Sequence, residues 1–307
     1  MIFKYIFPQD KAISREVFTL ALPVILSNLS RVLMSLIDVA MVGRLGAAAI
    51  AATGMGAMLF WGALSLVLGI RTAVQTVASR RLGQKKFSQC GTAFHNGILM
   101  ATLYGIPVSI AGWLWAKDFI PFFINDIEAT PMAAEYSSII FLTLLFSALS
   151  FVFQGFYTGI EKTRIHLRVT VTSNIINVYL NAGLIYGSEG MKDFIQETIP
   201  ALSFLAPLWQ WTVFPALGVK GAAIATLVAS AWMALHYFTH LFSKQIRHKF
   251  NVFALSVDLS MMRRQLKLAL PQGIQEMVIA VGWSVFYKIM GLIGLIELAT
   301  TELLFTI

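Results

Sequence analysis

Long apolar runs follow one another along the chain, separated by short connections that carry nearly all of its charge. A helix that crosses the hydrocarbon core of a bilayer needs about 20 predominantly apolar residues. Seven runs meet that template, at residues 17–42, 48–79, 92–116, 131–159, 165–187, 218–243 and 266–290, and an eighth begins near Glu297. Open sheets would leave unsatisfied backbone edges in lipid, so runs of this length predict helices. The expected fold class is all-α, a polytopic transmembrane helical bundle.

Composition agrees with lipid as the solvent. Hydrophobic residues make up 57% of the 307 and charged residues 12%, with a mean hydropathy of +0.74; soluble domains carry about 25% charged residues. The formal charge of +8 would suit nucleic acid, but the basic residues are scattered among short connections and no basic stretch is interleaved with aromatics. No nucleic-acid partner is expected. Cys90 is the only cysteine, which excludes an internal disulfide and a cysteine-rich metal site. Residues Met1 to Asp10 contain Pro8 and no small-residue cleavage site, and the first apolar run is too long for a signal peptide, so it reads as a retained span.

Alternating the connections between two sides sorts the positive charge. Lys4, Lys11, Arg15, Arg80, Arg81, Lys85, Lys86, Lys162, Arg164 and Arg168 fall on one side, joined by Lys244, Arg247, Lys249, Arg263, Arg264 and Lys267. The other side holds only Arg44, Lys117, Lys192, Lys220 and Lys288, while Arg31 and Arg71 lie within spans. By the positive-inside rule the N-terminus is cytoplasmic, in a multi-pass protein of the plasma (bacterial inner) membrane. The longest outer connection, Ser188 to Lys220, mixes Phe194, Phe204, Trp209, Trp211 and Phe214 with Pro200, Pro207 and Pro215. It reads as a segment lying in the membrane interface, with a lid over the substrate path as the alternative.

The chain also repeats itself. Leu20-Ala21-Leu22-Pro23 returns as Leu268-Ala269-Leu270-Pro271, an offset of 248 residues. At the same offset Gly43, Gly46, Ala51 and Thr53 meet Gly291, Gly294, Ala299 and Thr301. The seventh run thus repeats the first, which predicts a six-helix N-terminal lobe over 1–250, then a linker and the start of a second lobe over 251–307. Two lobes of that size need roughly 500 residues, and the eighth run supplies about a dozen, or ~18 Å of rise where ~30 Å is required. The expectation is an incomplete chain with about one and a half helices of the second lobe.

Several stretches, in order, resemble the multidrug and toxic compound extrusion (MATE) family. Leu22-Pro23 with Asp38-Val39-Ala40-Met41-Val42-Gly43-Arg44-Leu45-Gly46 is similar to that family's first helix. Gly155-x-x-x-Gly159 followed by Lys162-Thr163-Arg164 resembles the loop after its fourth. Asn174, Asn177, Asn181 and Leu184-Ile185-Tyr186-Gly187 resemble its fifth, and Leu217-Gly218-Val219-x-Gly221-Ala222-Ala223-Ile224-Ala225-Thr226 the start of its sixth. The resemblance implies a twelve-helix transporter, monomeric when complete, whose two lobes face a central cavity. It implies a secondary-active antiporter that exports small amphipathic or cationic organic compounds in exchange for Na⁺ or H⁺, with no organic cofactor. A lipid-linked oligosaccharide flippase of the same superfamily is the nearest alternative; only Arg31 and Arg71 are basic within spans, which argues against a pyrophosphate-binding cavity. A non-transporting truncated remnant is a third reading. No His/Asp/Glu or Ser/His cluster marks an enzyme.

Asp38 is the leading candidate for ion coupling. A carboxylate at membrane depth is costly unless it faces a cavity or a partner, and here protonation and cation binding would compete for one site. Its structural alternative is an ion pair with Arg31, seven residues back on the same face. Asn177 and Asn181, four apart, present amide oxygens on one face, either as cation ligands, with Na⁺ at Asp38 and Asn177, or as interhelical hydrogen-bonding groups. The resemblance adds that many members carry aspartate where Asn181 stands, and that Thr226 is a neutral ligand. Glu276, about 15 Å into the seventh helix, is expected to line the cavity, with Gln275 beside it. His236 and His240 have metal-compatible spacing but no acidic or cysteine neighbour in sequence, and read as interface residues. Arg71 and Gln75 read as packing or gate residues, and Pro23, Pro107 and Pro271 as kinks.

Overall fold

The computed structural model describes residues 11–198, 207–209 and 213–306. Among these, α1 is Lys11–Gly43, α2 Ala47–Gly83, α3 Phe87–Phe123, α4 Ala129–Gly159, α5 Thr163–Thr198 and α6 Val219–Thr239. A short α7, Lys244–Phe250, precedes α8, Leu259–Ile293, and α9, Leu295–Thr306. Six of these helices, α1 to α4, α6 and α8, are long and apolar enough to cross a membrane, with α6 extended to Phe242 in that measure. The fifth run of the sequence is helical up to Gly187, whose φ of 76° breaks α5, and Thr170, Thr172, Ser173, Asn174, Asn177 and Asn181 through its middle make it too polar for that class. It is also the helix that carries most of the candidate site.

The repeat has a structural counterpart. Helices α2 and α9 begin at Ala47 and Leu295, the same 248-residue offset that relates Pro23 to Pro271. Each proline removes an N–H from the middle of its helix, and Ser27 Oγ donates to the Pro23 carbonyl at 2.7 Å.

Helices α2 and α4 form the centre. Val67, Val74, Leu144, Val152 and Phe156 interlock there with Phe94 of α3 and Tyr237 of α6. Nearer the opposite end, Met55, Ile120 and Ala133 pack with Tyr287 of α8 and Leu298 of α9. The approach of α8 to α2 is close enough to require glycine: a Cβ at Gly69 would stand 2.1 Å from the Ala269 carbonyl oxygen. The outward faces of α1 and α8, with Phe18, Leu29, Leu33, Ile274, Val278 and Leu292, are exposed and apolar, which suits lipid and not water.

The connection from α7 to α8 is fastened to α3. His95 Nε2 lies 2.7 Å from the Val252 carbonyl oxygen, and the Ser256 N–H donates to His95 Nδ1 at 3.2 Å. Asn96 exchanges two hydrogen bonds with the Asp258 backbone, at 3.1 and 3.2 Å. Gln265 Nε2 donates to the Ala93 carbonyl at 2.9 Å. Of the long connection after α5, Pro200, Phe204 and Trp211 lie outside the described residues. Trp209 is buried against α5, donating from Nε1 to the Tyr179 carbonyl at 2.9 Å and stacking on that ring at 5.5 Å.

Candidate functional site

Four helices converge polar side chains near the Gly46 end of the bundle. Asp38, two turns before the end of α1, accepts a 2.5 Å hydrogen bond at Oδ1 from Asn181 Nδ2 of α5. The second hydrogen of that amide goes to Asn177 Oδ1 at 3.0 Å, and Asn177 Nδ2 reaches Thr226 Oγ1 of α6 at 3.4 Å. Spacing of four along α5 makes the chain possible, since residues four apart share a helix face. Thr226 spends its own proton on the Ala222 carbonyl, at 3.0 Å, which leaves its oxygen lone pairs for an acceptor role.

These groups line a cavity of about 130 Å³. Asp38, Asn181 and Thr226 face it together with Ser35, Thr53, Tyr136 and Glu302. The Asn181 side chain is buried and its Oδ1, also buried, accepts no hydrogen bond. A buried carbonyl oxygen without a donor is costly and calls for a proton donor or a cation. The cavity therefore offers a carboxylate, an unfilled amide oxygen and hydroxyl oxygens, the hard oxygen donors that suit a small cation.

Asp38, Asn177, Asn181 and Thr226 are brought together as one network. Glu276 is not: it lies on α8 outside this cavity and takes a 3.2 Å hydrogen bond from Gln272 Nε2 on its own helix. The second carboxylate of this cavity is Glu302 of α9, which was not among the expected site residues. Glu302 stands at the repeat position of Gly54, and its carboxylate lies over Gly54, where a Cβ would meet Oε2 at 2.6 Å. Tyr287 Oη donates to Glu302 Oε2 at 2.6 Å. The signal was present: a carboxylate in an apolar run is the same flag that singled out Asp38.

Arg31 forms no ion pair with Asp38, so the structural alternative for Asp38 is not realised. Its Nη2 reaches Asn28 Oδ1 at 3.4 Å, and the exposed side chain faces a separate, partly open cavity of about 240 Å³ lined by α1, α2, α4, α5 and α6. There Gln154 Nε2 donates to His166 Nε2 at 2.8 Å, which places the ring proton on Nδ1 facing Tyr237 Oη at 2.5 Å. Tyr237 is held in turn by Tyr157 Oη on its carbonyl at 2.9 Å. His236 and His240 stack at 5.2 Å, and His236 Nδ1 lies 2.9 Å from Thr172 Oγ1.

Comparison with known proteins gives the following matches. The MatE family model matches residues 23–182, more than half of the chain. The probable multidrug resistance protein NorM of Rhodopseudomonas palustris is 24% identical over 258 residues, covering 83% of this chain and 49% of that protein. Its namesake in Thermotoga maritima is 22% identical over 296 residues, covering 95% and 58%. The chain spans about half the length of the relatives it matches. Among solved structures, an inward-facing multidrug resistance MATE family transporter superposes with a TM-score of 0.71 at 18% identity, covering 94% of this chain and 60% of that one. A eukaryotic MATE transporter gives 0.71, also at 18%, covering 91% and 56%. At these identities the superpositions establish the fold.

Proposed function

This chain belongs to the MatE family, and from that premise we propose that it forms the ion-coupling lobe of a secondary-active antiporter. The proposed cargo is small amphipathic or cationic organic compounds, exported against an inward flow of Na⁺ or H⁺. The names of the relatives support multidrug efflux, and the observation that carries the coupling role is the Asp38 cavity with its unfilled Asn181 oxygen. In that cavity an ionised Asp38 has lost most of its hydration, so it gains from whichever cation arrives. Na⁺ would be held by Asp38, the Asn181 oxygen and Thr226, with Asn177 orienting Asn181; a proton would sit on Asp38 itself. Loss of either leaves a bare carboxylate with one amide donor, and the resulting drive to rehydrate favours opening the site. The charge distribution supports a cytoplasmic N-terminus, and with that orientation this cavity would lie in the outer half of the lobe.

Transport in proteoliposomes, with protein expressed from its full reading frame, tests the reading. A Na⁺ or proton gradient should drive uptake of an ethidium-like dye, and Asp38→Asn should reduce that uptake at least about tenfold while the protein remains monodisperse. Unimpaired coupling in Asp38→Asn would remove the role assigned to this residue. Absence of dye movement under both gradients would remove the exporter reading altogether.

A further inference from the structure

The cavity around Arg31 has the opposite chemistry to the one around Asp38. Arg31 projects into it, and no carboxylate is among the residues lining it. The Arg71 guanidinium lies 5.9 Å from the Phe151 ring that forms part of the wall, and both guanidiniums are within electrostatic reach of His166. Guanidinium groups stay charged, so the cavity holds positive charge with no carboxylate among the described residues that line it. Two buried polar atoms in and beside it are unpartnered: Ser150 Oγ, on a residue 5% exposed that lines the cavity, and Arg71 Nε. Both groups can donate. Phe60, Trp61, Phe151 and Met233 give the wall an apolar and aromatic part, beside the polar side chains of Asn28, Gln154 and Asn174.

Arg31 in the lining, Arg71 beside it, an unfilled hydroxyl and several aromatic side chains together describe one kind of ligand. We infer that the Arg31 cavity binds an amphipathic organic anion, its carboxylate, sulfonate or phosphate on Arg31 and Ser150 and its ring against Trp61 and Phe151. Guanidinium and oxoanion form charge-assisted, often bidentate hydrogen bonds. Gln154, His166 and Tyr237 would act as positioning residues, because both imidazole nitrogens are already engaged with protein. On this inference the protein takes zwitterionic or anionic compounds as well as cations. The inference rests on the transporter reading for its purpose, while the binding event stands apart from it.

Equilibrium binding to the full chain in neutral detergent tests the inference, by titration calorimetry with naphthalene-2-sulfonate and the matched cation 2-naphthylmethylammonium. The sulfonate should bind at least about tenfold more tightly, and Arg31→Gln should remove that preference. Arg31→Lys should restore part of it, because a point charge replaces the fork. If Arg31→Gln does not yield monodisperse protein, Arg71→Gln in the wild-type background should still weaken the sulfonate severalfold and spare the ammonium. Competition with short-chain phosphatidylglycerol identifies the source: displacement of the sulfonate assigns the site to a lipid headgroup, no displacement to a free organic anion, and each keeps the anion chemistry. Equal affinity for the two naphthalenes, or a sulfonate affinity indifferent to both arginine variants, would overturn the inference. Because no gradient is used, a failed transport assay leaves this result untouched, and the reverse also holds.

Discussion

Two cavities share helix α1, and they differ in both sign and construction. Arg31 and Asp38 are two turns apart, or ~10 Å along the helix, close enough in sequence to be read as an ion pair. In the fold each faces its own cavity instead. The Arg31 cavity is lined by α1, α2, α4, α5 and α6. The Asp38 cavity draws a second carboxylate, Glu302, from α9, beyond the helices that line the Arg31 cavity. An ion pair between Arg31 and Asp38 would have silenced both groups. Kept apart, each remains available to a ligand of opposite charge.

If that contrast holds, disturbing the packing of α8 should reach one cavity and spare the other. A Cβ at Gly69 would stand 2.1 Å from the Ala269 carbonyl oxygen, so Gly69→Ala must push α8 away from α2 and carry α9 with it. Overpacking of this kind costs about 1–3 kcal/mol. The expected result is a lower unfolding temperature in detergent and weakened cation binding, with naphthalene-2-sulfonate binding retained. Loss of both binding activities together would mean that the cavities do not act separately.

A sharper comparison adds charge to one cavity only. Asn181→Asp places a second carboxylate against Asp38, where like charges repel unless a cation lies between them. Na⁺ affinity, measured by calorimetry, should rise about tenfold, equivalent to 1.4 kcal/mol. Sulfonate binding at Arg31 should change less than about twofold. A fall in Na⁺ affinity would show that the Asn181 amide is needed as a donor to Asp38 more than its oxygen is needed as a ligand.

The smallest effect is expected at the start of α8, which sets where α9 begins. The Met261 N–H donates to Asp258 Oδ1 at 3.0 Å and holds this carboxyl below the ordinary carboxylate range. Because the folded value is lowered, its stabilisation is present above the unfolded value of about 3.9 and is lost as pH falls through the folded one. Wild type should therefore unfold at a slightly higher temperature than Asp258→Asn at pH 6, and the gap should close by about pH 3. A gap that widens on acidification would contradict the sign.

Much of the architecture was legible because lipid imposes a simple rule. A span must be apolar, helical and about 20 residues long, so the runs, the prolines and the 248-residue repeat all mark real elements. The Asp38, Asn177, Asn181 and Thr226 network was legible for a related reason, since polar groups in spans are costly and stand out. The same rule flagged Glu276, which lies outside the Asp38 cavity, and passed over Glu302, which lines it. Depth along a helix was read correctly in kind, but facing was not, because rotation of α8 and α9 about their axes is set by contacts such as Gly69 on Ala269. The fastening of the α7–α8 connection to α3 by His95, Asn96 and Gln265 was also invisible, since each bond joins residues more than 150 apart.

By itself the sequence determined which segments are helices, how they repeat and which polar residues a membrane would have to accommodate, because those follow from the local solvent and from helical geometry. Only the tertiary structure decided which of these residues meet. Packing of α5 against α1 and α6 closed the Asp38 network, docking of α9 on α2 added Glu302, and the facing of Arg31 toward side chains of α2, α4, α5 and α6 put it in a second cavity and not beside Asp38.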